Sequence, residues 1–516
     1  MTLGTRSEVL FNGQPLTIGQ VAAIAAGAPV RLSDEPGFVR RIDAGAEFVD
    51  RWLADGKAIY GVNTGYGDSV TVKVSAALVL DLPERLTEYH GVGLGRHFGA
   101  EETRAVVAAR LCSLARGYSG VSYALLKQLA ALLQHGILPL IPEEGSVGAS
   151  GDLTPLSYVA AVMGGRRDAR FRGQVVPAAD ALAACGLKPY RLRPKEGLAM
   201  MNGTAVMTGL ACLNFHRAER LEALSTRCTA LAALALGAGT AHFEPGLHAV
   251  KPFPGQGRAA ARIRQDLVEG GRPPVGGRLQ ERYSIRCAPH VIGVLGDSLP
   301  FYRGLIEGEL NSSNDNPIVD VEAGQVFHGG HFYGGHICHA MDGMKAAVAG
   351  LADLLDRQVA LLVDARYSEG LPSNLSGIAG DDGSIHHGFK ALQITASAGA
   401  AEAQMGALPA SVFSRSTESH NQDKVSLGTI AARGCRRSLE LAEQVAVCAL
   451  VTAAQGVELR QALEQRPQPG GGPAATLAWV RAKSPALGED RALEAELRDL
   501  LAAWARQEHT PYAGGA

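Results

Sequence analysis

The chain has 516 residues, 46% of them apolar, and a formal net charge of −2. That supplies a large buried core and is more chain than one compact domain usually holds. A near-neutral balance gives no electrostatic footing for nucleic acid or an anionic membrane.

The opening MTLGTRSEVLFNGQPL has no apolar signal core, which points to a cytoplasmic protein. Eight cysteines lie apart with no CxxC pair, as expected of reduced thiols in that compartment. Residues 1–200 are punctuated by glycine and read as a first domain. From 201 to 460, apolar residues recur at three- and four-residue spacing, predicting long helices over about 205–225, 343–366 and 430–457. The pattern is clearest in MKAAVAGLADLLDRQVALLVD (344–364), through Met344, Val348, Leu351, Leu355, Val359 and Leu362. Alanine and leucine dominate and aromatic residues are only 5%, which favours helix over strand. The longest apolar run, about 228–241, is shorter than the ~20 residues that span a bilayer. RPQPGGGPAA (466–475) reads as a linker before a charged helical segment, so 461–516 forms a third part. The fold expected is mainly α, an elongated bundle of long helices with the glycine-rich part in front.

Within that first part, EEGSVGASGDLTPLSYVA (143–160) sets Ser150 between Ala149 and Gly151. The order does not fit the Gly-x-Ser-x-Gly elbow of a nucleophilic serine. Gly151 has the least hindered amide nitrogen, and Gly148 tolerates unusual dihedrals. If the Gly151 nitrogen attacks the Ala149 carbonyl, a five-membered ring closes and water leaves. Loss of the Ser150 hydroxyl as a second water then leaves a conjugated exocyclic methylene. Such a group is an electrophile, a role that otherwise falls to a cofactor. A helix-capping turn before Asp152 is the plainer reading of the triplet alone.

This stretch closely resembles the signature of the histidine and aromatic amino-acid ammonia-lyases, in which Ala-Ser-Gly becomes methylidene-imidazolone. YGVNTGYG (60–67), KEGLAMMNGTA (195–205), QERYSIRCAPH (280–290), NSSNDNP (311–317) and STESHNQDKVSLG (416–428) resemble that family in the same order. The resemblance implies a helical bundle like that of fumarase and aspartase. It implies a homotetramer whose sites combine several subunits, and no external cofactor or metal. Ala149, Ser150 and Gly151 would form the electrophile that captures the substrate amine. Tyr60 matches the family's catalytic tyrosine, although a phenol titrating near ~10 needs help to act as a base. Arg286 matches the arginine that holds the substrate carboxylate, to which a guanidinium fork is suited. Tyr283, one helical turn earlier, matches a second active-site tyrosine, and Gln280 stands three residues before it. Asn202 matches the asparagine at the electrophile's carbonyl. Asn314 and Asn316 either fix the loop around Pro317 or touch the site.

Substrate choice rests on fewer residues. Tyr89 and His90, in LTEYHGVGLG, match the pair that faces the substrate ring; histidine-specific members carry histidine at 90 and phenylalanine-specific ones are apolar there. Gln422 sits where histidine-specific members carry glutamate and aromatic-specific members glutamine. A carboxylate suits an imidazole substrate and a neutral amide does not. The pattern favours tyrosine, giving p-coumarate, then phenylalanine, giving cinnamate, over histidine, giving urocanate. An aminomutase, which returns ammonia to the β carbon, would use the same residues. Phe332 keeps the family's pocket ring, while His331 replaces its usual asparagine. A rival reading takes His328, His331, His336, Cys338 and His339 as the zinc site of a metal-dependent hydrolase, although no HExxH helix accompanies them. A non-catalytic helical scaffold would leave Tyr60, Ser150 and Arg286 together unexplained.

Overall fold

The expected long helices are Ala205–Ala235, Gly335–Val363 and Gly428–Glu464, in a computed structural model that describes residues 7–378 and 384–512. The second starts ahead of its apolar repeat because Ile337, Cys338, Ala340 and Met341 are buried between polar neighbours that mask the period. A fourth long helix, Ala288–Leu310, carries Pro300 inside it. Strands are short, and those among the described residues pair into four small sheets. No helix among the described residues is long and apolar enough to cross a membrane.

The chain folds into two units. The first is Met1–His216, Tyr302–Asp342 and Pro409–Arg433, and the second is Arg217–Phe301, Gly343–Leu408 and Gly434–Ala516. Each joins three separated segments, whereas composition along the chain suggests divisions near 200 and 460.

In the first unit the helix Ala100–Ala115 is buried continuously from Thr103 except for Arg104, which its alanine-rich sequence allows on every side. It packs on Tyr123–His135, whose N-cap Ser122 accepts the Leu125 N–H and which ends at Gly136 with φ +66°. A hairpin, Ile318–Asp320 with Gln325–Phe327, follows the cis Asn316–Pro317 bond. Val319 of that hairpin packs with Val49, Ile59 and Val62, which seats the loop beginning at Tyr60.

In the second unit the long helices approach closely where residues are small. A Cβ on Gly456 would stand 2.9 Å from that of Ala235 and 3.5 Å from Leu362. Arg460 then closes the end of Ala205–Ala235, its Nε donating to the Ala235 carbonyl at 2.8 Å. The stretch read as a linker is helical from Gly471, where Gly471–Arg481 begins. Pro473 falls in its first turn, where a missing N–H loses no intrahelical bond. None of the eight cysteines is in a disulfide; six are buried, and Cys185 and Cys287 are partly exposed.

Candidate active site

The loop before the helix Leu153–Met163 bends tightly: φ is +77° at Gly148, +49° at Ser150 and +80° at Gly151. A Cβ on Gly151 would stand 2.2 Å from the Gly203 carbonyl oxygen, so a side chain there has no room. Asp152, fully buried, anchors the bend. Its Oδ2 accepts the N–H groups of Val206 and Met207, each at 3.0 Å. Its Oδ1 accepts the Ser146 hydroxyl at 3.0 Å and the Thr429 hydroxyl. Burial raises the Asp152 pKa above the ordinary carboxylate value, and these four donors work against that rise. Val206 and Met207 lie in the first turn of Ala205–Ala235, where N–H groups lack helical partners.

Ser150 itself is held from two directions. Asn202 Nδ2 donates to its carbonyl at 2.8 Å, and Gln422 Nε2 donates to its hydroxyl at 3.1 Å. Arg110 fixes Asn202 from below: its guanidinium, fully buried, donates to the carbonyls of Asn202 (2.9 Å) and Ala199 and to Asn314 Oδ1 (2.9 Å). Burial lowers the Arg110 pKa to about 10, which leaves it charged at neutral pH. Asn314 also accepts the Ser113 hydroxyl at 3.2 Å and donates to Thr204 at 2.8 Å, so it belongs to this scaffold. Asn316 instead lines the cavity and accepts the Gly329 N–H at 2.8 Å.

A cavity of about 800 Å³ lies over Ser150, walled by Tyr60, Tyr66, Tyr89, His90, Phe332 and Gln422 together with Ala149 and Asn202. The Tyr60 hydroxyl accepts the Gly67 N–H at 2.7 Å. Burial raises the Tyr60 pKa first and the Glu418 charge raises it further, with the Gly67 N–H opposing both. Glu418 is itself engaged, accepting the Asp68 N–H at 2.8 Å and the Asn421 amide at 2.9 Å. The rings of Tyr89 and His90 stand 4.5 Å apart, centre to centre. Burial pushes His90 down to about 4 and the Tyr89 phenol up, so both are neutral near pH 7.

The sequence model for aromatic amino acid lyases matches residues 16–482. The chain belongs to that family. A histidine ammonia-lyase from Gloeobacter violaceus is 37% identical over 498 residues, covering 96% of this chain and 95% of its own. A tyrosine ammonia-lyase from Cupriavidus metallidurans is 37% identical over 522 residues, covering 96% of each. Among solved structures, a tyrosine aminomutase from Streptomyces globisporus superposes with a TM-score of 0.89 at 34% identity, covering 97% of both chains. The protein is therefore an enzyme, a carbon–nitrogen lyase of the aromatic amino acid lyase family.

Of the residues that sequence selects in this lyase, Tyr60, Tyr89, His90, Ala149, Ser150, Asn202, Phe332 and Gln422 line one cavity, with Gly151 in its loop. Gln280, Tyr283 and Arg286 belong to the second unit and line no part of it. There the Arg286 guanidinium lies 4.6 Å over the Tyr283 ring, and its Nε donates to the Glu281 carbonyl at 2.9 Å. Tyr283 is 72% exposed. The zinc reading is corrected: among the described residues no three His, Cys, Asp or Glu side chains gather to hold a metal ion. His336 and His339 ride on the helix Gly335–Val363, while His328 accepts the Tyr60 N–H at 3.3 Å and His331 is exposed. Sequence reasoning missed Tyr66, Glu418 and Arg110. The first two stand inside motifs already singled out; Arg110, in a featureless helix, carries no sequence signal.

Proposed function

We propose that Ala149, Ser150 and Gly151 cyclise to methylidene-imidazolone and that the enzyme eliminates ammonia from an aromatic L-amino acid, tyrosine before phenylalanine. The residues present suit that group: the bend leaves no Cβ at Gly151, and Asn202 Nδ2 donates to the carbonyl between the two ring-forming residues. Once formed, it supplies an electrophile for the substrate amine and makes that amine a leaving group.

The observation that carries the substrate reading is the cavity wall. Tyr89 and His90 present neutral groups that both donate and accept, as a phenolic hydroxyl does, and Gln422 contributes an amide where an imidazole would favour a carboxylate. A polar group left unpaired on burial costs ~1–3 kcal/mol, so phenylalanine should be the poorer substrate by roughly tenfold or more. Tyr60 is the base we assign for the Cβ proton. Because burial and Glu418 both hold its phenol up, it needs a cation beside it when it acts. We assign the substrate-carboxylate contact to Arg286, with Tyr283 and Gln280, delivered by a neighbouring subunit of a homotetramer. The exposure of Tyr283 and Gln280 supports that assignment.

The test combines mass and turnover. The purified chain should be two waters lighter than its sequence, and Ser150→Ala should be inactive at full mass. Ultraviolet absorbance of the conjugated acid products should rank kcat/KM as tyrosine, phenylalanine, then histidine. A full-mass native chain defeats the cyclisation, and a histidine value above tyrosine overturns the substrate. The likeness to a tyrosine aminomutase supports a second reading, distinguished by a β-amino acid among the products.

A further inference from the structure

The helix Leu153–Met163 starts directly after the Ser150 loop and also carries Ser157 and Tyr158, which reach the His90 carbonyl and the Gly93 N–H. The fully buried Ser157 hydroxyl has one proton, shared between the carbonyls of Thr154 at 2.7 Å and His90 at 3.2 Å. Its oxygen accepts Arg167 Nη1 at 3.1 Å, which turns that proton toward the two carbonyls. Arg167 Nη2 donates at 2.7 Å to the carbonyl of Thr87, in the last turn of the helix Leu82–Tyr89, where carbonyls lack helical partners. The same guanidinium lies 4.2 Å over the Tyr158 ring, and the Tyr158 hydroxyl accepts the Gly93 N–H at 3.2 Å.

The backbone is shaped around this cation. A Cβ on Gly91 would stand 2.3 Å from Arg167 Nη2, so any side chain there would push the guanidinium aside. Arg167 holds φ at +59°, unusual for a residue with a Cβ, and its carbonyl accepts the Ala178 N–H at 2.9 Å. Thr87 and Gly93 flank the Tyr89–His90 pair; His90 and Gly93 are tied directly to the helix Leu153–Met163, and Thr87 is tied to it through Arg167.

We propose that Arg167 is a positioning residue for substrate choice: through Thr87, Ser157 and Tyr158 it sets where the Tyr89–His90 pair stands relative to Ser150. The proposal rests on the reading that this pair faces the substrate side chain. Arg167→Gln should lower the tyrosine-to-phenylalanine ratio of kcat/KM by about tenfold, mainly through the KM for tyrosine, while the chain keeps its two-water mass loss. Arg167→Lys, which keeps a cation and a donor for the Thr87 carbonyl, should restore the ratio to within about threefold. Tyr158→Phe, which keeps the ring and removes the acceptor for Gly93, should shift the ratio in the same direction as Arg167→Gln.

An Arg167→Gln enzyme that slows on both substrates equally would show a merely structural role and overturn the proposal. If that variant does not fold, an unchanged ratio in Tyr158→Phe overturns it. His90→Phe, measured alongside, separates the two levels. A changed ratio there with none in Arg167→Gln and Tyr158→Phe defeats the positioning role alone. An unchanged ratio in His90→Phe defeats the reading of the pair and the proposal with it.

Discussion

Replacing Asp152 by alanine removes the acceptor for two backbone N–H groups, Val206 and Met207, and for the Ser146 and Thr429 hydroxyls. The hydroxyls can rotate to other partners, but the amides point from a fully buried helix start and cannot. Each buried donor left unpaired costs about 1–3 kcal/mol, so the first turn of Ala205–Ala235 should lose about 2–6 kcal/mol of local stability. Amide exchange should therefore accelerate by at least about thirtyfold in peptides covering Val206 and Met207, since 1.4 kcal/mol is a factor of ten. Asp152→Asn keeps an acceptor oxygen for the amides and an NH₂ that both hydroxyls can accept, so its exchange should stay within about tenfold of the parent. The alanine variant should also remain at full mass, because the bend at 148–151 loses its anchor. Hydrogen–deuterium exchange with intact-mass measurement checks both. Equal acceleration in Asn and Ala variants would refute the hydrogen-bond account and leave the charge as the cause; parent-like exchange in Asp152→Ala would refute the anchoring role altogether.

Gly151→Ala should fold but remain at full mass without activity, because its Cβ would enter the space of the Gly203 carbonyl 2.2 Å away; an intact-mass measurement decides it. Burial depresses His90 from 6.5 to about 4, so the unfolded chain takes up this proton first, and folded stability is lost as pH falls from 6.5 toward 4. His90→Phe removes that loss, and its stability relative to the parent should rise by up to about 1 kcal/mol per pH unit across that window, measured by urea melts at pH 7 and 5. Inactive Tyr60→Phe and Arg286→Ala proteins, mixed under conditions that exchange subunits, should regain part of the parent turnover; none, with exchange proven by mass, would count against shared sites.

Local sequence determined the parts of this protein that depend on one turn of chain. The three- and four-residue apolar repeat marks the long helices because an α-helix returns to the same face at that spacing. The glycines at 148 and 151 mark the bend because only they reach those dihedrals without a clash, and family motifs then named most of the cavity's residues. Tertiary structure decided what those motifs do to one another. Asn202 and Gln422 stand 52 and 272 residues from Ser150 in the chain, yet each donates a hydrogen bond to it. Arg110 supports Asn202 from a helix whose alanine-rich sequence announces only burial. Glu418 adds a carboxylate beside Tyr60, and Arg167 meets Thr87 and Ser157 from a turn that looks like any loop. Propensity and periodicity are fixed within a few residues, whereas the convergence of buried donors and acceptors follows from how whole helices pack, and no window of sequence contains that information.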